Sequence, residues 1–230
     1  MGTSAEIYQT TESIPANFLN LPSELRNTIY ELCLVPKRPL KPWDTTQKKP
    51  AASLLRVNRA VHREARFVFY GQNRFDFSST PPARVASFLE TIGRNNAECI
   101  QHINIHFPNF DYPNLGSVTL GRRWKDTLAN IERACSDLRT LTIPSHCMDE
   151  VLGQLDPEVT TEYFTLVNSH LRAIPSIQHI IVEEYDGGDK TSHAARREME
   201  NYGWIFNIKY RGCRIGGPLI NLYPINRQRT

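Results

Sequence analysis

The amino-acid sequence predicts an α/β fold: two N-terminal helices, then repeated helix–strand units that form a short parallel sheet with helices on one face. Three observations support this prediction. Two stretches near the N-terminus have the apolar spacing of amphipathic helices, three later stretches share one apolar register, and an amphipathic pattern precedes each of those three. We therefore divide the chain into a flexible leader (1–17), a helical module (18–77) and a helix–strand repeat region (78–230).

The first helix is predicted from "LPSELRNTIYELCL", residues 21–34. Pro22 suits the first turn, because its missing N–H would have no partner there. Glu24 lies where the helix dipole favours an acidic side chain. One apolar stripe follows from residues spaced at i, i+4 and i+7: Leu25, Ile29 and Leu32.

A Pro- and Lys-rich segment, 36–52, comes next, and we expect it to form an exposed loop. The second helix is predicted over about 53–70, with Gly71 as its C-terminal stop. Its predicted buried stripe consists of Leu54, Val57, Val61, Ala65 and Val68. Another face carries four arginines: Arg56, Arg59, Arg63 and Arg66. Phe75 and Phe77 then alternate with charged residues, which indicates a short half-buried strand.

Each of the two helices carries a Glu-x-Arg motif, Glu24 to Arg26 in the first and Glu64 to Arg66 in the second. Residues two positions apart on a helix point away from each other, so the charges of one motif do not pair easily. Two adjacent helices can instead exchange partners, Glu24 with Arg66 and Glu64 with Arg26. Partly buried bidentate bridges of this kind would fix how the helices cross, and we favour this structural role over ligand binding.

Three later stretches, 99–107, 137–144 and 176–184, come into one register when the repeated "IQHI" is aligned. Ile103, Leu141 and Ile180 then match, so successive copies are offset by 38 and 39 residues. A helix–strand unit repeated at this period is typical of stacked arrays.

The predicted strands are apolar on one face and polar on the other. Strands of a sheet covered on both faces read as continuous apolar runs, so we expect helices on one face only, in a leucine-rich-repeat-like curve. The polar face should be open to solvent, or covered only by a loop or the C-terminal tail, and it offers a binding surface for a client. Its predicted residues are His102, Asn104, His106, Thr140, Thr142, His179 and Glu183.

The bulk properties favour a protein of the cytoplasm or nucleus. Five widely spaced cysteines without a C-x-x-C motif indicate reduced thiols, and no apolar run is long enough for a membrane span. A net charge of +3 disfavours nucleic acid as a partner. Nucleophile, phosphate-loop and dinucleotide motifs do not occur, and histidines on next-but-one strands lie about 10 Å apart, too far for one metal ion. We expect no catalytic residue, metal or cofactor.

Two features leave an alternative open, namely an enzyme or a nucleic-acid-binding protein. The acidic loop 183–189 follows a predicted strand, where carboxylates can serve acid–base or magnesium chemistry. The arginine stripe between Arg56 and Arg66 could hold phosphates.

The N-terminal module resembles a known family. "LPSELRNTIYELCL" and "LLRVNRAVHREA" resemble helices of the F-box, and together with "FYGQNRFDF" they resemble a fungal F-box-like family named for two Glu-x-Arg motifs. The resemblance covers about residues 18–77. It implies a protein-interaction role, with docking onto a Skp1-type adaptor of a ubiquitin ligase. The residues that would remain exposed until the adaptor covers them are Leu21, Pro22, Ile29 and Tyr30.

Overall fold

The computed structural model confirms a mixed α/β architecture. It describes residues 17–47, 50–114, 117–148, 151, 157–185 and 191–209. The predicted leader, except for residue 17, and the second half of the acidic loop, with Asp186 and Asp189, lie outside the described residues, as do residues 210–230.

Seven α-helices and seven β-strands occur among the described residues. The helices are α1 Ser23–Leu34, α2 Arg59–Gln72, α3 Pro82–Ile92, α4 Arg94–Ala97, α5 Arg122–Ala134, α6 Pro157–Arg172 and α7 His193–Asn201. The strands are β1 Arg74–Asp76, β2 His102–Asn104, β3 Phe110–Asn114, β4 Ser117–Leu120, β5 Thr140–Pro144, β6 His179–Tyr185 and β7 Ile205–Lys209. Short 3-10 helices cover Phe18–Asn20, Ala52–Arg56 and Ser145–Cys147.

The second predicted helix is divided in two. The chain forms the 3-10 helix Ala52–Arg56, becomes extended at Asn58, and then begins α2, because the Asn58 side chain accepts the N–H of Val61 as an N-cap. Val57 falls at this break and is 63 % exposed, so its predicted burial is wrong. Gly71 lies inside α2 rather than at its end.

Five strands form one parallel sheet in the order β1-β2-β5-β6-β7. Parallel strands that neighbour one another in chain order need crossovers, and crossovers of the usual right hand place every connecting helix on the same side. In chain order, β3 and β4 come between β2 and α5, and they form a separate antiparallel pair. The predicted register is confirmed, since Ile103 pairs with Leu141, and Leu141 with Ile180.

The core lies between one face of this sheet and its helices. Its strand row consists of Phe75, Ile103, Leu141 and Ile180, all at most 2 % exposed. The helices contribute buried residues at helical spacing, including Val85, Leu89, Leu128, Ile131, Tyr163, Val167 and Leu171. This core fixes the position of the opposite, polar face.

The Pro- and Lys-rich segment is attached to the sheet at one point. Leu40 forms a parallel bridge with Phe75 on the outer edge of β1, and its side chain is buried. Its N–H donates to the Arg74 carbonyl at 2.7 Å, and its carbonyl accepts the Asp76 N–H at 2.8 Å. The expectation of a wholly exposed loop is wrong at this residue.

Candidate functional site

One of the two predicted crossed ion pairs is present between α1 and α2. Arg26 donates to Glu64 through both Nε, at 2.8 Å, and Nη2, at 2.7 Å. Tyr30 donates its hydroxyl to the same carboxylate at 3.1 Å, and Arg26 also donates to the Leu21 carbonyl. The hydrogen bond from Arg26 lowers the pKa of Glu64. These contacts join the start of α1 to the middle of α2.

The other predicted pair, Glu24 with Arg66, does not occur among the described ion pairs. Glu24 is exposed, while the Arg66 guanidinium lies 4.6 Å from the Phe67 ring centroid and its buried Nε has no hydrogen-bond partner.

The direction of the helices explains this result. The two predicted pairs, Glu24–Arg66 and Arg26–Glu64, require antiparallel helices. In such a pair of helices, contacts further along one helix involve residues with lower numbers on the other. Here Arg26 contacts Glu64, whereas the Asn73 side chain just beyond α2 donates to the carbonyl of Leu34. Both residue numbers rise together, so the helices run roughly parallel and Glu24 and Arg66 are offset along them.

The apolar stripe of α1 faces away from α2. Leu25 is 51 % exposed, Ile29 37 % and Leu32 82 %, while Tyr30 and Leu34 on the opposite face are fully buried. We call Leu25, Ile29 and Leu32 the α1 stripe. Such a row of exposed large apolar residues marks an interaction surface rather than a core-facing helix side.

The predicted adaptor-binding residues are divided by burial. Pro22 and Ile29 are exposed and Leu21 is half-buried. Tyr30 is fully buried and hydrogen-bonded to Glu64, so its prediction as a docking residue is wrong. Its ring packs inward because it lies about one helical turn from Leu34. Sequence reasoning missed the exposure of four further apolar residues in the N-terminal module: Leu19, Trp43, Val57 and Phe67.

The polar face of the sheet is held by ion pairs among its own residues. The Glu183 carboxylate forms ion pairs with Arg74, at 2.9 Å, and with Lys209, at 2.6 Å. Its side chain is 4 % exposed. Arg74 stands on β1 and reaches across two strands to β6. His102 Nε2 lies 2.7 Å from Thr142 Oγ1, within hydrogen-bond distance.

Part of this polar face is closed to solvent. Asn104, Thr142 and Glu183 are at most 3 % exposed, so of the two predicted states of the face the solvent-open one is wrong for these residues. Burial lowers the pKa of His102 to about 3, assisted by the charges of Arg74 and Lys209.

The other predicted client-binding residues differ in exposure and position. His179 is exposed and Thr140 is half-buried. His106 follows the end of β2 and is half-buried beside Phe107.

Of the two features behind the alternative functions, the described acidic residues are paired, whereas most of the arginine stripe is exposed. Glu183 is paired on the polar face, and Glu184 is 3 % exposed, 3.3 Å from Arg196 and from the Thr191 N–H. Three of the four stripe arginines are exposed: Arg56, Arg59 and Arg63. No group of three or more His, Cys, Asp or Glu side chains that could hold a metal ion occurs in the described part of the chain.

Comparison with protein-family models, with curated proteins and with solved structures found no match to this chain. Within the described ranges, no helix combines the length and apolar character that crossing a membrane requires.

Proposed function

We propose that this chain is a non-catalytic protein-interaction protein that docks a partner through the α1 stripe. One observation carries the proposal: Leu25, Ile29 and Leu32 are exposed on the side of α1 opposite its buried residues. An amphipathic helix normally turns its apolar side inward. A partner with an apolar groove would receive these residues in the helix-in-groove mode of recognition.

Burial of apolar side chains would supply the free energy of docking at the α1 stripe. Fully burying one Leu or Ile side chain stabilises a complex by about 1.5–3 kcal/mol. The three residues of the α1 stripe would therefore supply a compact apolar centre, the usual source of most binding energy. Arg26 and Glu64 support this centre by holding α1 in place on α2.

The resemblance of residues 18–77 to an F-box-like module favours a Skp1-type adaptor as the partner. Pro22 and Ile29 keep their proposed docking role, and Leu25 and Leu32 join them. We assign the leucine-rich-repeat-like sheet a scaffold role in this proposal. Client binding through the polar face is not retained for Asn104, Thr142 and Glu183, since they are buried.

Co-expression with a Skp1-type adaptor, followed by size-exclusion chromatography and calorimetry, tests the proposal. The chain should co-elute with the adaptor, and Leu25→Ser with Leu32→Ser should abolish co-elution. Ile205→Ser is the matched control, because Ile205 is 45 % exposed on β7 and far from α1 in the chain. Absence of a complex at micromolar concentration would reject the adaptor, and a complex that tolerates the double substitution would reject the α1 stripe.

A further inference from the structure

A cleft of about 460 Å³ opens at the carboxyl ends of β1 and β2. It is lined by residues of three segments: 77–82 after β1, 105–107 and 109 after β2, and 121–124 and 127 at the start of α5. Crevices outside the carboxyl ends of parallel strands are the usual ligand sites of α/β folds, and this volume falls in the range of small-molecule pockets.

The cleft combines an apolar floor with a polar, basic rim. Its floor contains three largely buried aromatic residues, Phe77, Phe107 and Trp124. Its rim carries two exposed arginines, one half-buried histidine and two hydroxyl groups: Arg122, Arg123, His106, Ser79 and Thr80. None of the lining residues that the structure describes is acidic.

Backbone contacts hold the cleft in shape. The Gly121 N–H donates to the Asn109 carbonyl at 2.8 Å, and a Cβ at Gly121 would lie 3.2 Å from that oxygen. The Trp124 indole donates to the His106 carbonyl at 3.2 Å. The start of α5 is therefore fixed against the segment that follows β2.

Two helices of more than two turns begin at this cleft, α3 at Pro82 and α5 at Arg122, and neither has a side-chain N-cap. The partial positive charge of a helix start adds to that of the arginines. Among the described residues Arg122 is paired with one acidic side chain, Asp126 at 3.9 Å, in an exposed and therefore weak pair.

We propose that this cleft binds a small phosphate-bearing molecule with an apolar or aromatic group. The phosphate contacts Arg122, Arg123 and the first turn of α5. The apolar group packs against Trp124, the most exposed of the three floor aromatics, and against the neighbouring Pro81 and Pro82. This inference concerns another part of the chain than the α1 stripe, so either can fail without the other.

Calorimetric titration of the full chain with phenyl phosphate and with inorganic phosphate is the test. Phenyl phosphate should bind about tenfold more tightly, because its ring removes apolar surface from water worth about 1.4 kcal/mol. The double variant Arg122→Gln/Arg123→Gln should weaken the binding of phenyl phosphate at least about tenfold, since losing one hydrogen bond to a charged group typically costs about a factor of ten or more in affinity.

The matched control is Arg133→Gln, which removes an exposed arginine from the last turn of the same helix. Its affinity for phenyl phosphate should stay within about twofold of the wild type, because its charge lies several turns away. Three outcomes would overturn the site: no saturable binding at about 10 mM, equal weakening by the control, or equal affinities for the two probes. Circular dichroism of each variant verifies that the fold is retained.

Discussion

Leu32 and Leu34 lie two positions apart on α1 and have opposite environments. Leu34 is fully buried against α2, whereas Leu32 is 82 % exposed on the outer side of the helix. The same residue type therefore serves the core at one position and the surface at the other.

Alanine substitutions at these two positions should separate the two roles. Leu34→Ala should lower the free energy of unfolding by about 2–5 kcal/mol, because it leaves a cavity in the core. Leu32→Ala should change the free energy of unfolding by no more than about 0.5 kcal/mol, because substitutions at exposed positions usually have small effects. Urea denaturation followed by tryptophan fluorescence measures both. Similar losses at the two positions would contradict the orientation of α1.

The Arg26–Glu64 contact gives a second prediction. Arg26→Gln should destabilise the fold more than Arg94→Gln. The Arg26 side chain is 15 % exposed and forms two hydrogen bonds with Glu64, whereas the Arg94 side chain is 89 % exposed in its pair with Glu98. A double-mutant cycle with Glu64→Gln should give a coupling that is lost at low pH. Since Arg26 lowers the pKa of folded Glu64, this stabilisation is present above the ordinary Glu pKa and disappears as pH falls through the folded value. Zero coupling at neutral pH would reject the contact.

His102 predicts a particular pH dependence of stability. Its pKa falls from 6.5 in the unfolded chain to about 3 in the folded one, so between these values the unfolded chain binds a proton that the native protein excludes. Stability should therefore decrease as pH falls from 6.5, by at most about 1.4 kcal/mol per pH unit from this group.

The substitution His102→Gln tests this origin. It should flatten the decrease in unfolding free energy measured between pH 6.5 and about 4.5. His179→Gln is the control, because His179 is exposed on β6 and should leave the slope unchanged. An unchanged slope in His102→Gln would show that His102 is protonated freely in the folded protein.

Two glycines should respond oppositely to alanine. Gly93 joins α3 to α4 with φ +79° and ψ 156°, a conformation nearly restricted to glycine, so Gly93→Ala should cost about 1–3 kcal/mol. Gly71 is the next-to-last residue of α2, where a Cβ would meet the Cys99 carbonyl at 3.5 Å and Gln101 Nε2 at 3.7 Å, both ordinary contacts. Gly71→Ala should be neutral or stabilising by up to about 1 kcal/mol. Thermal unfolding of both variants checks this contrast, and a stable Gly93→Ala would contradict the backbone at that turn.

Local patterns in the sequence predicted much of the sheet. Aligning the repeated "IQHI" gave the register of Ile103, Leu141 and Ile180, because period-two alternation specifies which residues of a strand meet the core. The Arg26–Glu64 pair was also predicted, since each helix carries an acidic and a basic residue that cannot easily pair with each other.

Long-range geometry was not predictable in the same way. The Glu24–Arg66 pair failed because no local pattern fixes whether two helices pack parallel or antiparallel. The burial of Glu183 depends on Arg74 and Lys209, which come from strands far away in the chain. A polar residue on a strand reads as solvent-exposed unless its partner charges are known, and that information lies in the tertiary structure.

The two edge strands of the five-stranded sheet, β1 and β7, differ in what lies against them. On the β1 side, Leu40 already uses the free backbone groups of Arg74 and Asp76, so another strand could add there only by displacing it. On the β7 side, no further strand is paired within the described residues. By occupying the backbone groups of Arg74 and Asp76, Leu40 protects the β1 edge of the sheet against pairing with a strand from another molecule.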